Sequence, residues 1–148
     1  MTTQNQISAL NDLLAKAYDA EKGYQQAADN CDSERLTFVF NTLAEQRRKF
    51  GHEIKDRIKL LGGLPEKGDS VASKVHRFWM DLRTTIAGND DVAILAEVQR
   101  GEQNAIKYYD EALKVLSFDP STSQIVERQR NTIEHTLNRM ESLEEVHA

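Results

Sequence analysis

Apolar residues recur every three or four positions along most of the chain, the spacing that keeps one side of an α-helix facing a core. Ile7, Leu10, Leu14, Ala17, Tyr24 and Ala28 form the first such series, with Glu21 occupying one of its steps, and predict a helix over about 5–30. Asn30 to Ser33 interrupt the pattern, and Asp32 or Ser33 can cap a second helix over about 33–61. That helix has Leu36, Phe40, Leu43, Arg47, Phe50, Ile54 and Leu61 on its seam and stops at Gly62-Gly63. A shorter series, Val71, Val75, Phe78, Trp79, Leu82 and Ile86, predicts a helix over about 70–87, closed at Gly88. The next helix runs over about 90–116 from an Asn89 or Asp90 cap, through Leu95, Val98, Glu102, Ala105, Tyr109, Ala112 and Leu116. A turn at Asp119 to Ser123 leads to the last helix, about 121–146, with Val126, Gln129, Ile133, Thr136, Met140 and Leu143 inward.

Two short turns and one long connection define the arrangement. Helices of about 25 residues reach roughly 38 Å, and short links make antiparallel hairpins of the first and second pairs. The long middle segment lets the second hairpin return from the far end of the first. The expected fold is therefore an all-α, single-domain, antiparallel four-helix bundle with one long crossover that carries a short fifth helix. A weak internal repeat agrees: LLAKAYDAEK at 13–22 aligns with ILAEVQRGEQ at 94–103, setting Glu21 on Glu102. LAEQRR at 43–48 likewise aligns with IVERQR at 125–130, setting Arg47 on Gln129.

Each long seam thus has one strongly polar residue where an apolar one belongs: Glu21, Arg47, Glu102 and Gln129. The repeat places all four at similar height, so the sequence predicts a buried polar layer in which Arg47 faces inward because carboxylates do. Two glutamates on the first and third long helices, with a long crossover, resemble the frame of ferritin-like di-metal bundles. That resemblance implies Glu-x-x-His on the other two helices, whereas this chain has Arg47-x-x-Phe50 and Gln129-x-x-Thr132. Arginine cannot ligate a metal. No cofactor is expected; if a metal binds, iron or manganese held by Glu21 and Glu102 is the alternative, in an iron-handling or oxidase role.

Over nearly its whole length the chain resembles a family of uncharacterised bacterial ferritin-like four-helix-bundle proteins of unknown function. HRFWMDLRT at 76–84 and RGEQNAI at 100–106 carry that resemblance. It implies a fold and a setting, and brings no activity with it.

Other candidates read more simply as surface chemistry. Glu45 with Arg48, and Glu127 with Arg130, fit exposed i, i+3 ion pairs. His52-Glu53 and Glu134-His135 are adjacent pairs that diverge by about 100° on a helix and chelate poorly. Tyr18, Tyr24, Tyr108 and Tyr109 suit core or boundary positions with the hydroxyl on a polar partner.

Composition narrows the setting. Of 148 residues, 29% are charged and only two are proline, which suits solvated helices, and the net charge of −5 gives no basic patch for nucleic acid. One cysteine, Cys31, precludes an internal disulfide. With no leader pattern and no membrane-length apolar run, the reading is cytoplasmic. The expected function is non-enzymatic: a stress-related interaction or structural role, as a homodimer whose interface uses Phe78 and Trp79.

Overall fold

A computed structural model describes residues 3–66, 91–117 and 119–147. These form four α-helices and, among the described residues, no strand: α1 (Thr3–Asn30), α2 (Glu34–Leu60), α3 (Asp91–Leu116) and α4 (Pro120–His147). The expected helix over 70–87, its Asn89 or Asp90 neighbour and the proposed interface residues Phe78 and Trp79 lie outside the described residues. None of the helices described is long and apolar enough to cross a membrane.

The helix ends follow from local chemistry. Ser33 caps α2, its hydroxyl accepting from the Leu36 N–H at 3.2 Å. At the other end Gly62 adopts φ 85°, and its N–H bonds to the Lys59 carbonyl at 3.0 Å while the Gly63 N–H reaches the Ile58 carbonyl at 2.9 Å. This is the paired-bond glycine stop that satisfies the last carbonyls of a helix. Asp119 opens α4, where Pro120 needs no N–H partner; its carboxylate accepts from the Thr122 hydroxyl at 2.7 Å.

Contacts at the ends fix the topology. The carboxylate of Asp91, first residue of α3, accepts from the N–H groups of Asp32 (2.8 Å) and Ser33 (3.1 Å) in the α1–α2 turn. Near the opposite end Arg57 of α2 donates to the Thr122 hydroxyl of α4 at 3.1 Å. Helix α3 therefore starts where α2 starts and runs in the same sense, so the α2–α3 connection joins opposite ends of the bundle. Packing is most extensive within the hairpins α1–α2 and α3–α4; α1 also packs on α3, and of the four neighbouring pairs α2 and α4 pack least.

The core is divided. One apolar cluster gathers Tyr24, Phe40, Leu43, Ile94, Val98, Met140 and Leu143 toward the α1–α2 turn. The other gathers Leu10, Leu14, Ile54, Ile58, Tyr109, Val126 and Ile133 toward the far end. Arg47 and Glu102 belong to neither, although they are among the most buried side chains, at 2% and 0% exposure.

Candidate functional site

The break in the core is an ion pair. Arg47 sits on α2 between the buried positions Leu43 and Ile54, and Glu102 on α3 between Val98 and Ala105, so the periodicity of each helix turns them inward. The guanidinium faces the carboxylate with both terminal nitrogens: Nη1 donates to Oε1 at 2.8 Å and Nη2 donates to Oε2. Its Nε donates to Gln46 Oε1 at 3.3 Å. The guanidinium carbon is 5.5 Å from the centroid of the Tyr24 ring and 5.8 Å from that of Phe50, so aromatic faces complete its surroundings. Burial acts to lower the Arg47 pKa, but the Glu102 charge and hydrogen bonds outweigh it and the net shift is upward.

Glu21 is a correction. The sequence places it in the polar layer, yet it is only half-buried, and its charge acts on exposed Arg48 instead. On α1 the buried series runs through Ala17, Ala20 and Tyr24, which leaves Glu21 at the edge of the stripe. The aromatic ring of Tyr24 takes the place assigned to the second carboxylate. Burial pushes the Tyr24 phenol well above its ordinary range, and the nearby Glu102 charge adds to the rise.

Gln129 is fully buried but does not join the ion pair. Its Oε1 accepts from the Tyr109 hydroxyl at 2.6 Å, and its Nε2 donates to the Phe50 carbonyl at 3.3 Å and to Glu53 Oε1 at 3.0 Å. Tyr109 lies seven residues beyond Glu102, roughly 10 Å along the helix axis, so the expected single layer is two polar sets at different heights. A repeat pairs positions along two helices and carries no information on their axial offset in the bundle. Glu53 also pairs with Arg128 on the surface, so this second set runs from the core to solvent. Burial pushes the Tyr109 phenol up as well.

Tyr24, Tyr109 and Glu53 are the members that the polar-for-apolar signal misses. Both tyrosines lie on the seams, and they escape that signal because a ring counts as apolar. The surface readings divide: Glu45 pairs with Arg48, while Arg130 pairs with Asp110 and Glu134 rather than Glu127. Burial raises the Cys31 thiol pKa although Thr37 hydrogen-bonds it, so its thiolate is disfavoured.

The ionisable groups of the two polar sets are engaged with one another. Both oxygens of Glu102 are engaged by a cation that keeps its proton, and the two core phenols hold theirs far above neutral pH. Among the described residues no three His, Cys, Asp or Glu side chains gather as metal ligands. A di-metal carboxylate centre does not fit this donor set, because Arg47 places a positive charge where such a centre needs anionic oxygens.

A family model described as a domain of unknown function (DUF2383) matches residues 5–115, spanning α1, α2 and nearly all of α3. Comparison with curated proteins gave no match.

Proposed function

The chain belongs to the DUF2383 family of domains of unknown function, and from that premise we propose that it is a ferritin-like bundle without catalytic role, acting in the cytoplasm through assembly and contact as a homodimer. The observation that carries this reading is the two-pronged grip of Arg47 on Glu102 at the middle of the bundle. The end-to-end α2–α3 connection and the inward glutamate of α3 support the ferritin-like part. In this reading the ion pair stands where ferritin-like bundles keep their metals, and it serves to set helix register.

The test is elemental mass spectrometry on untagged protein, grown with added iron and manganese and purified without chelator. The expected result is no stoichiometric metal in wild type or in Glu102→Ala. Near-stoichiometric iron or manganese that disappears in Glu102→Ala would overturn the reading in favour of an iron-handling or oxidase role.

A further inference from the structure

Among the described residues the flank between α2 and α4, the least packed of the four neighbouring pairs, is open, and a groove of about 990 Å³ runs along it. Phe38 stands at one end, 73% exposed, the most exposed aromatic side chain among the described residues. Toward the other end Gln46, Lys49, Phe50 and Glu53 line the groove. Their i, i+3, i+4, i+7 spacing is that of the four-residue hole that receives a side chain from a facing helix. Knob and hole therefore lie on one face of one helix, about 17 Å apart at 1.5 Å per residue.

We propose that this face is a homodimer interface, in which α2 packs antiparallel on α2 of a second copy about a two-fold axis near residue 44. The proposal rests on the assembly reading above and names its surface. An isologous contact must be self-complementary, and this one is: the axis that seats Phe38 of one copy in the hole of the other seats the second Phe38 in the first hole. Charge also favours a second copy. The whole chain carries −5, so two chains repel on average, but the ionised groove residues are balanced, Glu45 and Glu53 against Lys49 and Arg128. Glu45, close to the axis, is already paired with Arg48, and Lys49 comes beside the incoming Phe38 ring, where an ammonium is attracted to the aromatic face.

Sedimentation velocity on the full chain from low to high micromolar concentration tests this. Wild type is expected to be a dimer, and Phe38→Glu to weaken it by at least about 30-fold, the loss typical of an aromatic anchor seated in a pocket. Helicity should stay unchanged, since Phe38 packs little within its own chain. In a Cys31→Ser background, Asn41→Cys mixed with Gln46→Cys, groove positions that the axis near residue 44 brings together with Phe38 left intact, should give an intermolecular disulfide on oxidation. A monomeric wild type at high micromolar concentration overturns both the interface and the homodimer. A dimer that survives Phe38→Glu, or one in which the two cysteine variants form no disulfide with each other, overturns this interface and leaves the assembly reading standing.

Discussion

Arg47 and Glu102, 55 positions apart, meet with both guanidinium prongs on both carboxylate oxygens and with almost no exposure to water. Moving two charges out of water costs several kcal/mol each, and the pair recovers that only through its geometry. Breaking one side should therefore be far worse than removing both. Arg47→Ala is expected to destabilise by about 3–5 kcal/mol, while Arg47→Met with Glu102→Gln should be near neutral or stabilising. Urea unfolding of Arg47→Ala, of Arg47→Met and Glu102→Gln singly, and of the double variant checks this. Small, additive effects would contradict a tightly coupled pair.

Tyr109 and Gln129 test the second polar set. Tyr109→Phe removes the donor to Gln129 Oε1 and strands a buried amide oxygen, at a cost of about 1–3 kcal/mol. Adding Gln129→Met, of similar length, should recover part of that loss, because the unmet acceptor goes with it. The same unfolding measurement reads both.

The glycines at and beyond the end of α2 should respond differently from the one inside it. A methyl group on Gly51 would lie 3.7 Å from both Ala17 Cβ and Leu14 Cδ1, ordinary contact distance. Gly51→Ala should then gain about 0.5–1 kcal/mol from helix propensity. At Gly62, with φ 85°, an alanine should cost about 1–2 kcal/mol. At Gly63 it would meet the Ile7 side chain at 2.8 Å and cost about 1–3 kcal/mol through overpacking. Thermal melts of the three variants would show the contrast.

Asp119 gives the bundle a pH dependence. The hydrogen bond from Thr122 holds its carboxyl below the ordinary carboxylate range, against an opposing push from burial, with Arg57 helping. A folded-state pKa below the unfolded value means that its stabilisation is complete above about pH 4 and is lost as pH falls through the folded value. Asp119→Ala should cost about 1 kcal/mol at pH 7. Melts at pH 7 and pH 3 should show the gap between wild type and variant narrowing in acid.

Much of this architecture is legible in the sequence because long amphipathic helices announce themselves. The seams through Leu36, Phe40, Leu43 and through Val98, Ala105, Tyr109 lie buried, and the turns at Ser33 and Gly62 have the chemistry that ends helices. The candidate site is less legible. Glu21 misleads because the 3.6-residue period lets two neighbouring stripes on α1 look alike over three turns, and between Ala17 and Tyr24 only packing against α2 decides whether Ala20 or Glu21 turns inward. Gln129 misleads because periodicity gives the face of a helix and not its axial position against its neighbours. The α2–α4 flank is not legible either: Phe38 falls off the Leu36-Phe40-Leu43 seam, and a single off-seam aromatic is too common on protein surfaces to mark a groove.

The bonds from Asp91 to the Asp32 and Ser33 amides bear on how the chain reaches its topology. Each hairpin closes through nearby residues and can form quickly, whereas docking one hairpin on the other is the non-local step, burdened by the entropy of closing a long connection. Two dockings are open to a pair of antiparallel hairpins, differing in which end of one meets which end of the other. Only one brings the α3 carboxylate to the exposed donors at the start of α2. The acidic side chain at the head of the third helix thus favours one docking over the other, together with the Arg57–Thr122 bond at the opposite end, and its loss should slow or misdirect assembly of the halves more than it weakens either half alone.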